Sequence, residues 1–121
     1  MANTFKLYSA ANIATGSLTE YYEVPSSPAT TAVVLGITIA NTSSAAVTAS
    51  IQVFSDTADH SLLPGSANAD TYLVKDAPIA QGGSTEIMEG NKLVLQTTDG
   101  IKAIASASGA VDLLISVMEI T

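Results

Sequence analysis

The chain contains no cysteine, no tryptophan and no arginine, and a single histidine, His60, among its 121 residues. Without cysteine there can be no disulfide, no thiolate zinc ligand and no cysteine nucleophile. One histidine excludes a two-histidine zinc site. The four lysines, Lys6, Lys75, Lys92 and Lys102, are scattered singly against eleven acidic residues, for a net charge of −7. Binding to nucleic acid requires clustered cations to displace counterions from phosphate, so no nucleic acid is expected as a partner. Charge of either sign is scarce: 12% of residues are charged, about half of the usual roughly 25%. The run from Val24 to Ser55 carries none.

What remains is apolar residues, Ser, Thr, Ala and amides. Hydrophobic residues make up 47% of the chain, and ample Val, Ile and Leu with little charge is the opposite of a disordered composition. The length suits one domain with a core of its own. A surface so poor in charge must be covered by small polar residues or by other subunits, and soluble monomers ordinarily carry more charge. The N-terminal "MANTFKLYSAANIATGS" has no continuous apolar core, so no signal peptide is expected. "TAVVLGITIA" is about half the length of a membrane span and is followed at once by polar residues, so no membrane association is expected.

Periodicity sets the fold class. Val33, Leu35, Ile37 and Ile39 alternate with Val34, Gly36, Thr38 and Ala40, and after "NTSSAA" the set Val47, Ala49, Ile51 and Val53 alternates with Thr48, Ser50 and Gln52. Two period-two segments separated by a short polar turn predict an antiparallel pair. "KLVLQT" and "IKAIASA" flank "TDG", a strong hairpin signal. With "TFKLYSA", "TEYYEV", "TYLVKDAPI", "STEIMEG" and "VDLLISVMEI", the chain reads as eight or nine short strands. The expected fold is an all-β, single-domain antiparallel β-sandwich, jelly-roll- or Ig-like. Residues 1–17 form an arm or first strand that could attach the domain to a neighbour, and residues 18–121 form the sandwich. The long connection from Ser55 to Asp70 reads as a crossover with room for one helical turn.

The last strand is apolar on both faces. Val111, Leu113, Ile115 and Val117 fill one, and Leu114, Met118 and Ile120 populate the other, which implies a cover of loop or neighbouring subunit. These three residues are the candidate interface, together with Tyr21 and Tyr22, of which one ring should face in and one out.

Chemistry is not signalled. His60 has Asp56 and Asp59 nearby, but no serine stands in a G-x-S-x-G context and no oxyanion donors are evident, so no catalytic residue is assigned. Asp56, Asp59 and Asp70 do not follow a calcium-loop pattern, and "QGGS" is a turn rather than a phosphate loop. Glu20, Glu23, Glu86 and Glu89 fall near strand ends, with nothing that places two across a cleft. No cofactor and no metal are expected.

One set of signals has a familiar order. Val24-Pro25, the strand ending Ile39-Ala40-Asn41-Thr42, and Pro78-Ile79-Ala80-Gln81-Gly82-Gly83 are followed by Met88-Glu89-Gly90-Asn91-Lys92-Leu93. Asp99-Gly100-Ile101-Lys102-Ala103 and the closing Glu119-Ile120 complete the series. Over residues 18–120 this resembles a group of small tailed-bacteriophage virion proteins. The resemblance implies a non-enzymatic β-sandwich carried in many copies on a phage particle, assembled in the host cytoplasm. Its implied partners are its own copies and other virion proteins, either capsid proteins that it decorates as a cement protein or tail proteins. A carbohydrate-binding or adhesive sandwich module is the alternative reading.

Overall fold

The computed structural model of the chain describes residues 2–57 and 68–121. The helical turn expected within the Ser55–Asp70 connection, with Asp59 and His60, lies outside the described residues. Among the described residues nine strands run in chain order: β1 (Asn3–Ala10), β2 (Thr19–Glu23), β3 (Thr31–Asn41), β4 (Val47–Phe54), β5 (Thr71–Ile79), β6 (Ser84–Glu86), β7 (Leu93–Leu95), β8 (Gly100–Ala105) and β9 (Val111–Ile120).

They form two antiparallel sheets. One has the order β1-β9-β3, with β6 and β7 both pairing β3, at Thr38–Ala40 and Ala32–Val34. Since β9 takes the other edge of β3 along its whole length, β6 and β7 occupy one interrupted strand position. The second sheet has the order β2-β8-β4-β5. β4 and β5 are neighbours in one sheet, so the Ser55–Asp70 connection is not the crossover expected of it; β6 and β7 also follow one another within a sheet, and all other consecutive strands lie in opposite sheets. Eight strand positions, four per sheet and joined by crossing connections, make an all-β sandwich of jelly-roll topology.

The crossings correct two expected hairpins. β3 and β4 do not pair: β3 bonds to β9, β6 and β7, while β4 bonds to β5 and β8. Alternation cannot tell a hairpin from two strands that face each other across a core, because both bury one side. The corner chemistry decides. Asn41 is buried at the end of β3, and its amide nitrogen donates to the carbonyls of Ala45, Ile79 and Ala80. Its amide oxygen accepts from the backbone N–H and hydroxyl of Ser43. One side chain thus satisfies a bend that carries the chain into the other sheet.

The same holds at "TDG". β7 and β8 lie in opposite sheets, and Thr98, not Asp99 or Gly100, takes the positive φ, 70°. The Asp99 carboxylate is buried in the corner, accepting from the Gln96 N–H and from the hydroxyls of Ser55 and Thr57. Gly100 is needed for space: a Cβ there would run into the Tyr22 carbonyl oxygen and the Phe54 ring.

The expected apolar face of β3 is also broken in the middle. Val34 pairs with Val117 and Gly36 with Ser116, so Leu35 is an extra residue, a β-bulge. The bulge shifts the phase by one. Ala32 and Val34 join Ile37 and Ile39 in the core, and Val33 turns outward. Opposite them the second sheet contributes Ile51, Ile79, Ile101 and Ala103. Each such aliphatic side chain larger than Ala contributes about 1.5–3 kcal/mol relative to exposure. On β9, Val111, Leu113, Ile115 and Val117 are buried as their alternation requires.

The N-terminal segment is part of the sheet. β1 pairs with β9 from Asn3↔Ile120 to Ala10↔Leu113, and Ile13 follows it into the core, its N–H donating to the Val111 carbonyl.

Candidate interface

The outward residues of the β1-containing sheet fall into rows fixed by the strand register. Phe5 pairs with Met118, Met118 with Val33, and Val33 with Val94, so one apolar row crosses four strands. The next row is Leu7, Ser116 and Gly36; after it come Ser9, Leu114 and Thr38. On the other flank Ile120 lies between Asn3 and Thr31. Phe5 is 71% exposed, Val94 62%, Leu7 60% and Leu114 38%. These large side chains share one face of the sheet and form an apolar patch, the candidate interface of the chain.

Two acids reach this face. Glu86 sits on its β6 edge, where its carboxylate accepts from the N–H groups of Ile37 and Met88 and from the Thr38 hydroxyl. Asp112 sits near one end and accepts from the Asn12 N–H. Glu86 ends the Ser9–Leu114–Thr38 row, and its Oε2 lies 3.4 Å from where a Cβ on Gly36 would stand, so its carboxylate covers the Gly36 end of the row before; the Phe5–Met118–Val33–Val94 row holds no acid.

The outer face of the second sheet differs in kind. Its middle row reads Glu20, Lys102, Gln52 and Tyr72 across four strands. The Lys102 ammonium lies 5.1 Å from the centre of the Phe54 ring, and Lys75 lies 5.6 Å from that of Tyr72. This is a solvated surface, with rings covered by cations. The two faces of one sandwich are therefore unlike.

The candidate residues divide accordingly. Leu114, Met118 and Ile120 all lie on the apolar outer face. Tyr22 does not reach any surface: it is 4% exposed and belongs to the core. Tyr21 is half-buried at a register shift in β2, and its hydroxyl accepts from the Ala14 N–H, so it is no outward ring. Beside it, Tyr8, Ala10, Leu113 and Ile115 line a niche of about 110 Å³ between the edges of β1 and β2. Phe5, Leu7, Val33 and Val94 lie outside the set expected from sequence. The period-two pattern of "TFKLYSA" carries Phe5 and Leu7 on one face and is enough to find them; Val33 is hidden by the bulge.

A second feature has no sequence signal at all. Glu119, 3% exposed, faces inward on β9 and gathers three partners. Tyr22 donates to its Oε2 at 2.7 Å, Tyr8 donates to the same oxygen at 3.1 Å, and the Lys6 Nζ lies 2.9 Å from Oε1. The tyrosine rings pack at 4.7 Å between centroids. Burial pushes the Glu119 carboxyl up, but the Lys6 ammonium and the two hydroxyls outweigh it and hold the group below its ordinary value. Burial, with the adjacent carboxylate, drives the Tyr22 and Tyr8 hydroxyls above the usual tyrosine range. The carboxylate raises Lys6 in turn. The cluster ties β1, β2 and β9 together at one edge.

Among the described residues no group of three or more His, Cys, Asp or Glu could hold a metal ion. Asp70 accepts from the Ser55 N–H. Glu20 and Glu23 lie on β2 and Glu86 on β6, in opposite sheets.

No protein-family profile matches the chain, and no curated protein is found to be similar to it. Among solved structures, a Bacillus endospore appendage protein, from work describing a family of disulfide-linked pili, is similar. The likeness has a TM-score of 0.50 at 12% identity and covers 99% of this chain and 87% of that one. At that identity it speaks for the shared fold.

Proposed function

We propose that the chain is a non-enzymatic structural subunit of a tailed-bacteriophage particle, present in many copies and packed against capsid or tail proteins. The observation that carries this reading is the apolar outer face of the β1 sheet, set against the polar outer face of its partner sheet. A sandwich needs one apolar side per sheet to fold. A second apolar side has no use in a solvated monomer and a direct use in an assembly. Small side chains and few charges lower the cost of ordering such a surface at a contact. The resemblance of residues 18–120 to virion proteins supports the particle as the setting.

The second reading is a subunit of a filamentous appendage, favoured by the fold shared with a pilus protein. That protein's family is described as disulfide-linked, whereas this chain has no cysteine. An appendage of this chain would be held together without disulfides. A carbohydrate-binding role draws little support from the aromatics: the outward rings of Phe54 and Tyr72 each have an ammonium nearby where a sugar would stack, and Phe5, 71% exposed, stands among aliphatic residues with no second ring beside it in its row.

Quantitative mass spectrometry of purified phage particles, with labelled antibody and electron microscopy, tests the proposal. The chain should appear in a fixed ratio to a major shell or tail protein and at a regular position. Finding it in filaments would replace the first reading with the second, and finding it only free in the lysate would overturn both.

A further inference from the structure

We infer that β1 is a releasable strap: it leaves β9 as one unit, turning about Ala11 and Asn12, while the rest of the sandwich stays folded. This is a property of the fold and does not depend on which particle the chain builds.

The strap holds to the body through few side chains. Every residue from Asn3 to Leu7 is exposed, and only Tyr8 and Ala10 are half-buried. β3 and β9, by contrast, send Val34, Ile37, Ile39, Leu113, Ile115 and Val117 into the core. When β1 leaves, β9 keeps its whole pairing with β3. A segment with few buried contacts and an exposed backbone opens at a lower free energy than the whole molecule.

The strap ends abruptly. Ile13 is 1% exposed, and its N–H donates to the Val111 carbonyl. Ala14 is tied twice: its N–H donates to the Tyr21 hydroxyl, and its carbonyl accepts from the Ala105 N–H. Between strap and anchor, Asn12 has a φ of 56°, a left-handed conformation that residues other than glycine hold at a cost. Its N–H donates to the Asp112 carboxylate at 3.0 Å. Letting go of that one bond allows Asn12 to extend and β1 to swing out.

Glu119 is the latch. Lys6 and Tyr8 reach its carboxylate from β1, and Tyr22 reaches it from β2. On release the carboxylate loses the first two, keeps the third and meets water along the vacated edge. No buried charge is left unpaired, so opening avoids the usual penalty of breaking an ion pair in a core. Closed, Ala2 to Ala10 form an edge strand; released, they are an arm that spans about 30 Å when extended.

The strand register supplies the test. Ala2 and Thr121 exchange both of their backbone bonds, at 3.1 and 3.0 Å. By antiparallel alternation Leu113, Ile115, Val117 and Glu119 turn their N–H groups to β1, whereas Leu114 and Met118 turn theirs to β3. Hydrogen–deuterium exchange of the full chain, read residue by residue by NMR, separates the two sets within one strand. The β1-facing amides of β9, with those of Lys6 and Tyr8, should share one protection factor. It should lie about 100-fold or more below that of Leu114, Met118 and Ile13. Ile51→Val, in the core of the second sheet, weakens the closed and strap-open forms alike. It should therefore speed Leu114 and Met118 about five-fold and leave the strap set unchanged. Tyr8→Phe removes a bond that either opening breaks, and should speed both sets about five-fold. Equal protection of the two sets in the native chain would overturn the inference. So would a graded rise from Glu119 to Leu113 in place of one shared value, an Ile51→Val variant that speeds both sets alike, or a Tyr8→Phe variant that leaves the strap set unchanged.

Discussion

Tyr22, on the second sheet, donates its hydroxyl to Glu119 across the sandwich at 2.7 Å, joining residues 97 positions apart in sequence. The bond links the two sheets at the edge closed by β1, and the carboxylate is shared with Tyr8 and Lys6. Buried carboxylates are tolerated only with this kind of complete pairing. Replacing Glu119 with Ala should leave the buried Tyr22 hydroxyl without an acceptor and the half-buried Tyr8 hydroxyl without its own. The expected loss is about 2–3 kcal/mol in urea unfolding, with no change in slope. Tyr22→Phe removes one donor but leaves Tyr8 and Lys6 on the carboxylate, so its loss should be smaller, about 1 kcal/mol.

The same cluster sets two limbs of a pH profile. Glu119 is held below its ordinary value in the fold, so the unfolded chain takes up its proton first as pH falls. Its contribution is complete above the unfolded carboxylate range and is lost as pH drops through the lower, folded value. Lys6, Tyr8 and Tyr22 are all raised, so above about pH 10 the unfolded chain releases protons first and stability falls with rising pH. Melting temperature against pH should therefore fall away on both sides. In Glu119→Gln the acid limb should shrink relative to the native chain. An unchanged acid limb would show that other carboxylates govern it.

Corners are a separate source of stability. Asn41→Ala removes one amide that serves three carbonyls, one N–H and one hydroxyl at the β3–β4 bend. With the residue 2% exposed, water cannot replace all of these bonds, and a loss of about 2–3 kcal/mol is expected. Asn41→Asp keeps the acceptor but loses the donor, and should be no better. Thermal or urea unfolding distinguishes these from a solvent-facing control such as Thr48→Ala, expected within about 0.5 kcal/mol of the native chain.

How far the sequence discloses this molecule depends on the range of the interaction concerned. Strand positions are legible because alternation is local. On β9 the pattern correctly separates the buried Val111, Leu113, Ile115 and Val117 from the outward Leu114, Met118 and Ile120. Strand partners are not legible. Period two and "TDG" are satisfied equally by a hairpin and by a crossing between sheets, and the choice falls to the buried side chains of Asn41 and Asp99. The bulge at Leu35 likewise leaves no local signal, yet it decides that Val33 faces out. Glu119 reads as an ordinary acid at a strand end; only the fold brings Lys6 and two tyrosines to it.

Gly100 carries the most specific packing prediction. Its position at the start of β8 brings backbone against backbone, with the Tyr22 carbonyl on one side and the Phe54 ring on the other. A methyl group at this point has no flexible neighbour to displace on the carbonyl side, so β2 itself must move away from β8. Gly100→Ala should cost about 3 kcal/mol, at the upper end of ordinary overpacking. Gly16, which has no atom within 4 Å of where a Cβ would stand and no positive φ, provides the control, and Gly16→Ala should be neutral or slightly stabilising. Because β2 carries Tyr22, the shift in Gly100→Ala should also lengthen the bond to Glu119. Combined with Tyr22→Phe, it should therefore cost less than the sum of the two single losses. Strict additivity in that double-mutant cycle would show that the corner and the Glu119 cluster are independent.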